Sequence, residues 1–398
     1  MNRLLLTVLV AAAGCSYPHL VADKKIDERY IERIEDSVAH VTSLAFEKPV
    51  PHSVLTVEQA REHFAKDWDE ELAPDTSSTL AAMRAFGFVQ GPLDLRSVEV
   101  DIQAEEAAAF YDPRTKEFYI LDRGYGFGIW LASWATNRDL ANEMSAAHEL
   151  VHALQDQAYD LEKYLHAAKE NDDATLARVA IVEGEATYYG FRAMGLKDLE
   201  INREDLVEGG GESMEKAPPL LRELLVFPYW AGHTFTRTRL HVHSLTEVPA
   251  RDAPWKHPPA STAQILHPEL WEAGNTPPSL HLADVPVPPG WHLARENVLG
   301  AFMAGVLTGG ADTPGWVADR YRVLEDATGR LALGWSLFFD THADAHAFAE
   351  GYRRFQRGKG VKEACVEVVG CWVTVAEAPD PETFQVLRAV AALASVAP

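Results

Sequence analysis

The pentapeptide His-Glu-Leu-Val-His at residues 148–152 constrains this chain more than any other feature. Two histidines four positions apart project from one face of an α-helix, because a turn takes 3.6 residues. Their imidazoles can bind a single metal ion, while Glu149 acts on a water molecule there. Residues 140–159 contain no glycine or proline and are apolar around the pentapeptide, which predicts a buried helix. The alternative is two surface histidines beside an ordinary glutamate.

The N-terminus predicts export. Asn2 and Arg3 precede an apolar run over 4–13, which is too short for a stable membrane span. Small residues before Cys15 resemble the cleavage site of bacterial lipoproteins. That resemblance implies a lipoprotein signal peptide over 1–14, a lipidated Cys15 that anchors the chain to a membrane, and a tether over 15–27. Ser16 after the cysteine then implies the outer membrane, at its periplasmic or surface face. An ordinary secretory signal is the alternative, and it also exports the protein.

Length and charge narrow the function classes. We expect residues 28–398 to form a single catalytic unit, with an N-terminal part over 28–165 and a C-terminal part over 166–398. The formal net charge of −23 argues against nucleic acid as a partner and against electrostatic binding to anionic lipid. A solvated acidic surface explains this charge, and a preference for basic substrates is the alternative. The chain after the signal contains no candidate transmembrane helix.

Periodicity predicts a mixture of helices and strands. The predicted helices are 28–46, 56–72 with Thr56 as N-cap, 79–86 ending at Gly87, 140–159 and 174–194. The predicted hairpins are 107–121, with its turn at 112–116, and 363–377. In the first hairpin, residues 118–121 are expected to be an edge strand. Residues 208–219 are expected to be a flexible loop, 247–292 a long segment with little periodicity, and 293–356 mixed helix and strand.

Two cysteines remain after the signal. Cys365 and Cys371 flank a predicted strand turn around Gly370, and export permits a disulfide between them. Whether they pair depends on the distance between their Cα atoms. A metal role for this pair is not expected, because no further cysteine lies nearby.

A catalytic zinc ion has three protein ligands and leaves one position for water. Glu183 is the best candidate for the third ligand, because a turn and a returning helix fit between His152 and it. The small residues Gly184, Ala186 and Gly190 would let the two helices approach closely. Glu183 shares a helix face with Thr187 and Gly190. Glu185 is the rival, but it projects about 200° around the helix from Glu183.

A glutamate followed by glycine, any residue and alanine, downstream of H-E-x-x-H, resembles the gluzincin metallopeptidases. The resemblance implies an α+β, zincin-like fold with an active-site helix, an upstream hairpin or sheet, and a mainly helical C-terminal part. It also implies zinc as the cofactor, His148, His152 and Glu183 as its ligands, and Glu149 as the general base.

The run His-Glu-Leu-Val-His-Ala-Leu-Gln-Asp-Gln at 148–157 is also similar to the active helix of uncharacterised exported bacterial and archaeal proteins. Those proteins carry patterns similar to residues 227–232, 258–268 and 315–321. The similarity covers roughly residues 105–355. It bears on the fold and the metal site, and says little about the substrate.

The sequence therefore predicts an exported, lipid-anchored zinc endopeptidase that acts on peptides or proteins. Its oxyanion needs a hydrogen-bond donor, for which the candidates are Tyr188, Tyr229, His233 and His267. Asp156, one turn beyond His152, is a candidate partner for a zinc-bound imidazole. Two alternatives stay open. One is a non-catalytic, zinc-containing surface lipoprotein that serves as a binding or structural module. The other is a metal hydrolase that cleaves a non-peptide amide, such as a cell-wall link.

Overall fold

A computed structural model of the chain describes residues 18–123, 132–133, 135–197, 199–242 and 248–396. The predicted signal peptide and the predicted lipidation of Cys15 lie outside the described residues. Helices and strands mix along the described chain, which confirms the α+β class. Within those ranges, no helix is long and apolar enough to cross a membrane.

The folded part has already begun at Leu20, inside the segment predicted as a tether. Leu20 is fully buried, and its backbone N–H donates to Asp139 Oδ2 at 2.9 Å. Strands β1 (Val21–Ala22) and β2 (Lys25–Ile26) then form a short antiparallel pair. The described tether residues from Leu20 onward therefore belong to the packed structure.

The first long helix, α1 (Glu28–Thr42), is shorter than predicted. The carboxylate of Asp27 accepts hydrogen bonds from two backbone N–H groups of the first turn and caps the helix. The helix ends at Ser43, whose φ of 55° places it in the left-handed region. Residues 43–46 therefore lie outside the helix, although the spacing of apolar residues predicted that it would include them.

The start of the next helix and the end of the one after it lie at their sequence signals. Helix α2 (Val57–Asp67) starts at a capping box formed by Thr56 and continues into a π-helical turn, Trp68–Leu72. Helix α3 (Ala73–Phe86) ends at Gly87, whose φ is 85°. It begins six residues before the predicted start at Thr79.

A three-stranded sheet lies beside the predicted active-site helix. After helix α4 (Leu95–Glu106), strands β4 (Ala109–Asp112) and β5 (Glu117–Leu121) form the predicted hairpin, and β3 (His52–Leu55) pairs with β5 in parallel. The order β3-β5-β4 places β5 in the centre. The prediction that residues 118–121 form an edge strand is therefore wrong, because β3 arrives from a distant part of the chain. Within the hairpin, the strand that lies at an edge of the sheet is β4.

Three long helices form the centre of the molecule. They are α5 (Leu140–Tyr159), α7 (Asp172–Ala193) and α10 (Pro219–Val242), with the short α6 (Leu161–His166) between the first two. Helix α5 has the predicted bounds. Most of its alanines and leucines are buried and face α1, the hairpin and α7. Helix α7 packs between α5 and α10, so it controls the spacing of both.

Two segments contain more helix than the sequence predicted. The expected loop over 208–219 includes the end of α8 (Arg203–Glu208) and all of α9 (Glu212–Lys216). The carboxylates of Glu105 and Glu106 accept hydrogen bonds from the backbone N–H groups of residues 211–213 and hold this segment. Residues 248–290 contain three helices and a short strand: α11 (Val248–Lys256), α12 (Thr262–Leu266), α13 (Pro268–Glu272) and β6 (Leu280–His281). Helices of one or two turns are too short to produce a clear period.

The C-terminal part is built on a five-stranded antiparallel sheet in the order β10-β11-β9-β8-β7. Its strands are β7 (Trp291–Asn297), β8 (Trp316–Asp326), β9 (Leu331–Phe339), β10 (Glu363–Val369) and β11 (Trp372–Ala378). One face packs against α3, α14 (Gly300–Thr308) and α15 (His342–Lys359), and the other against α16 (Pro381–Ala392). The last strand, β12 (Ser395–Val396), pairs with β6.

The predicted terminal hairpin is confirmed, but its disulfide is not. In the β10–β11 register, Cys365 lies opposite Ala376, whereas Cys371 lies in the turn. Five residues of extended chain separate Ala376 from Cys371, a distance of about 16 Å at 3.3 Å per residue. A disulfide requires Cα atoms within about 7 Å. The disulfide that the sequence left open is therefore excluded, and both thiols are free.

Candidate metal centre

Three side chains predicted as ligands converge between α5 and α7. His148 Nε2 lies 3.1 Å from His152 Nε2 and 3.2 Å from Glu183 Oε2, and His152 Nε2 lies 3.5 Å from the same oxygen. The edge of a tetrahedron with metal–ligand bonds of 2.0–2.1 Å is about 3.3 Å long. The three distances therefore match the spacing of three ligands around one tetrahedral ion, and two imidazoles with a carboxylate form a donor set that suits zinc.

The charges of this cluster favour a positive charge among the donor atoms. Burial raises the pKa of Glu183, but the charge of His152 and hydrogen bonds from both histidines outweigh it and hold that pKa well below its usual range. Burial lowers the pKa of His152, but Glu183 raises it to about 9. The carboxylate therefore stays ionised and favours positive charge on its neighbour His152. A proton or a metal ion can supply that charge, and the donor spacing fits the metal ion.

Small residues on α7 let its two neighbouring helices approach. A Cβ atom at Gly190 would lie 3.3 Å from the backbone N of His148, so α5 crosses α7 at His148. Thr187 and Gly190 line the same cleft as Glu183, as their shared helix face predicted. Gly184 faces the other way, because its Cβ would lie 2.1 Å from the carbonyl carbon of Gly232 on α10. Its predicted role in the approach to α5 is therefore corrected.

Glu149 points into the cleft beside the cluster. Its Oε2 accepts a hydrogen bond of 2.9 Å from the backbone N–H of Tyr111 on β4. Burial raises its pKa, and the neighbouring His148 and His152 oppose that shift. A carboxylate with a raised pKa is a better proton acceptor than a solvated one. Glu149 therefore has the position and the basicity that a general base needs.

Gln155, which the sequence reading missed, orients one of the imidazoles. Its Oε1 lies 2.8 Å from His152 Nδ1, and its Nε2 donates to the carbonyl of Val182 at 3.1 Å. Gln155 therefore connects His152 to Val182, the residue before Glu183. Gln155 lies on α5 three residues beyond His152. This spacing, which places two side chains side by side on a helix, could have predicted the contact.

Asp156, the predicted partner of an imidazole, has other partners. Its carboxylate accepts hydrogen bonds from the Tyr111 hydroxyl at 2.7 Å and from Lys116 Nζ at 3.0 Å. It therefore fixes the β4–β5 hairpin to α5. The prediction failed because the next residue along a helix points about 100° away.

A cleft of about 670 Å³ opens onto the three donors and Glu149. Strand β4 forms one wall with its unpaired edge, since the N–H of Tyr111 turns away from β5 towards Glu149. Apolar side chains line much of the remaining surface, namely Phe64, Ile102, Phe110, Met144, Phe191 and Leu206. Among the described residues, the charged side chains that line it besides Glu149 and Glu183 are Glu106 and Asp205. The cleft is therefore apolar with an acidic bias.

Tyr229 is the one oxyanion candidate that lines the cleft. Its ring stacks on His148 at a centroid distance of 6.1 Å. The negative charge of Glu183 and burial raise the pKa of its hydroxyl well above 10, so the phenol remains protonated. A protonated hydroxyl beside the three donor atoms can donate a hydrogen bond to a bound carbonyl.

Three other predicted donors do not line the cleft. Tyr188 and His233 are buried, with ring centroids 5.9 Å apart, and burial lowers the pKa of His233 to about 4. His267 Nε2 bonds to Asp312 Oδ2 at 2.9 Å near the C-terminal sheet. These corrections have one cause, since aromatic and histidine side chains also serve as core residues and sequence proximity does not separate the two roles.

The rival ligand Glu185 lies on the opposite side of α7. Arg239 and the Trp255 indole N–H donate to its carboxylate at 3.1 and 2.9 Å. Burial raises its pKa to about 7. Glu185 is therefore a structural group that links α7 to α10 and α11, which agrees with the choice of Glu183 as the ligand candidate.

Comparison with known proteins adds one local match. Residues 308–391 match a family described as a domain of unknown function, DUF8575. These residues run from the end of α14 into α16 and contain none of the three donor residues. No curated protein and no solved structure matches the chain.

Proposed function

We propose that this chain is a zinc-dependent metallopeptidase of the gluzincin type with a zincin-like fold, and that it cleaves internal peptide bonds. One observation carries the proposal. His148, His152 and Glu183 present three donor atoms at tetrahedral spacing to a cleft that also contains Glu149. A structural zinc site usually closes its fourth position with a protein ligand, whereas a catalytic site leaves it open to water.

The chain's own groups supply the proton transfers of a hydrolysis. When bound by the two histidines and Glu183, zinc supplies Lewis acidity, which acidifies water and polarises a carbonyl group. Glu149 removes a proton from the attacking water and returns it to the leaving amine. Tyr229 donates a hydrogen bond to the developing oxyanion.

The cleft favours an extended peptide as substrate. The outer edge of β4 can hydrogen-bond a peptide as an additional strand, which would present the scissile bond to Glu149. Apolar walls suit large hydrophobic side chains, and Glu106 and Asp205 suit a basic residue nearby. The substrate class is therefore a peptide with hydrophobic residues flanked by positive charge.

The place of action follows from the N-terminal sequence. A lipid on Cys15 would hold the mature protein at the outer membrane, at its periplasmic or surface face. The partners would then be peptide or protein substrates and the lipid bilayer, with no nucleic acid.

The test replaces one atom of the proposed base. Glu149→Gln keeps the shape of the side chain but cannot accept a proton, so we expect zinc to stay bound and turnover to fall by about 10²- to 10⁴-fold. His148→Ala should lose both zinc and turnover. Zinc is counted by mass spectrometry, and cleavage is measured on a mixed peptide library with and without chelator. Glu162→Gln, an exposed change on α6, is the matched control.

The same experiment distinguishes the alternatives. Stoichiometric zinc with no cleavage by the unaltered protein would favour a binding or structural lipoprotein. Cleavage of cell-wall fragments alone would favour an amidase. Unchanged turnover in Glu149→Gln would contradict the proposed role of this residue.

A further inference from the structure

A second group of potential ligands lies behind β4. His63 and Asp67 are one turn apart on α2, so they share a face. Asp112 ends β4 and is nearly fully buried. His63 Nε2 lies 3.3 Å from Asp67 Oδ2 and 3.2 Å from Asp112 Oδ2. These lengths again match the tetrahedral edge of about 3.3 Å around a zinc-sized ion.

The ring nitrogen of His63 is without a hydrogen bond in this arrangement. His63 Nε2 is buried, and neither nearby carboxylate oxygen lies in a hydrogen-bonding direction from it. A buried imidazole nitrogen without a hydrogen bond is costly. Both carboxylate oxygens lie to the side of the direction in which His63 Nε2 would form a hydrogen bond. This arrangement is expected when the nitrogen and the two oxygens all point at one ion between them.

Arg114 occupies the other oxygen of each carboxylate. It contacts Asp67 Oδ1 and donates to Asp112 Oδ1 at 3.2 Å, with a longer contact of 3.5 Å to Asp112 Oδ2. The two Oδ2 atoms therefore face His63. Burial raises the pKa of Asp112, but hydrogen bonds from Arg114 outweigh it and keep this carboxyl ionised.

The local charge is strongly negative. Arg114 also lies 3.3 Å from Glu70 and 3.4 Å from Glu71, so one guanidinium faces four carboxylates. Lys66 reaches only the exposed Glu70, at 3.8 Å. A further cation among Asp67, Asp112 and His63 would reduce this imbalance.

We propose that His63, Asp67 and Asp112 bind a second divalent cation, for which Zn²⁺ fits the one-imidazole, two-carboxylate donor set. The rings of Phe110 and Tyr119 lie 5.0 and 5.3 Å from the His63 ring and limit the access of water. The ion fastens α2 to the end of β4. It thereby steadies the strand whose Tyr111 N–H bonds to Glu149, without sharing a ligand with the first centre.

The test counts zinc in the full chain after chelator treatment, dialysis and incubation with Zn²⁺ at pH 7.5. We expect two zinc ions per unaltered chain, one in His63→Gln, one in His148→Ala and none in the double variant. His166→Gln, at an exposed position of α6, is the matched control and should keep two zinc ions. If only the first centre fails to bind zinc, the His148→Ala variant still binds one ion. Failure of the proposed catalytic site is therefore distinguishable from failure of the second site, which would leave this variant without zinc.

A thermal measurement supports the count. In the His148→Ala background, zinc should raise Tm by several degrees, and this rise should vanish on adding His63→Gln. Asp67→Asn is the second variant if His63→Gln does not fold, and circular dichroism checks each fold. Equal zinc counts in His63→Gln and the unaltered chain would overturn the proposal. So would a His148→Ala variant that binds no zinc.

Discussion

At the residue scale, the candidate centre depends on side chains that lie beside the proposed ligands. Gln155 bonds to Nδ1 of His152, the ring nitrogen that faces away from the other two donors, and to the carbonyl of Val182 beside Glu183. One amide therefore orients proposed ligands from two helices. Tyr229 stacks on His148 and stays protonated next to Glu183. Neither residue belongs to the H-E-x-x-H pattern, and each can be altered without removing a donor atom.

The first residue-scale prediction concerns zinc affinity. Gln155→Leu keeps the volume but leaves His152 Nδ1 without its acceptor, so we expect the Kd for zinc at this centre to rise by about 10- to 100-fold. Affinity is measured by competition with a calibrated chelator. Gln157→Leu is the control, since this exposed side chain bonds to Glu47 and Lys48, away from the centre. Equal affinities in the two variants would remove the orienting role from Gln155.

The second residue-scale prediction concerns turnover. Tyr229→Phe removes only the hydroxyl, so zinc should remain while kcat falls by about 10²- to 10³-fold, as for other oxyanion donors. Steady-state kinetics on a cleaved library peptide measures it. Tyr188→Phe, in the core of the same helix layer, should leave kcat unchanged. A fall in both variants would point to a packing effect.

At the element scale, backbone contact between helices sets the position of Glu183. Gly184 on α7 and Gly232 on α10 meet without side chains between them. A Cβ atom at Gly232 would lie 1.9 Å from the carbonyl oxygen of Ala180, so these helices approach more closely than side chains allow. Helix α7, which carries Glu183, is thus positioned by α10 on one side and by α5 at Gly190 on the other.

Gly232→Ala therefore has a predicted cost at two levels. The added methyl group forces α7 and α10 apart, which should lower the free energy of unfolding by about 2–3 kcal/mol and weaken zinc binding by moving Glu183. Chemical denaturation and zinc competition measure both effects. Gly358→Ala is the control, because its Cβ would meet open space near the end of α15. That change should be neutral or stabilising by up to about 1 kcal/mol.

At the scale of the whole molecule, two buried carboxylates connect the helical part to the C-terminal sheet. Asp173 on α7 accepts hydrogen bonds from the N–H and hydroxyl of Thr262 on α12. Asp319 on β8 accepts from the N–H groups of Leu299 and Gly300 and from two tryptophan indoles. Gly300, at φ 83°, lies so close to Asp173 that a Cβ would overlap its carboxylate. The helical part and the C-terminal sheet therefore share a polar junction.

This junction makes stability depend on pH. Burial raises the pKa of Asp173 from 3.8 to about 7, so the folded state holds a proton that the unfolded chain releases. The contribution of Asp173 is therefore fully present below the unfolded pKa. It is lost as pH rises towards 7, by up to about 1.4 kcal/mol per pH unit. Asp173→Asn removes the titration and keeps the hydrogen-bond acceptor. We expect the unfolding free energy of the variant, relative to the unaltered chain, to increase from pH 4 to pH 7 in urea denaturation. A constant difference would contradict the raised pKa.

Local sequence signals predicted several individual helices and strands well, but they predicted poorly which elements pack against one another. The bounds of α5, the hairpin of β4 and β5, and the ends of helices at Thr56 and Gly87 follow from periodicity and capping, which act over a few residues. The short helices inside 208–219 and 247–292 were missed because their stability comes from distant contacts, such as the carboxylates of Glu105 and Glu106. The central place of β5 likewise depends on β3.

The sequence by itself determined the donor chemistry of this protein: two imidazoles and a glutamate on one helix, and a returning helix that carries Glu183. These follow from helical spacing, a local property. The tertiary structure alone decided the partners. It assigned Gln155 rather than Asp156 to His152, left Tyr229 as the oxyanion candidate, separated Cys365 from Cys371, and placed His63 beside Asp67 and Asp112. Such choices depend on packing between residues far apart in sequence, where many pairings satisfy the same local pattern and the close fit of the interior selects one.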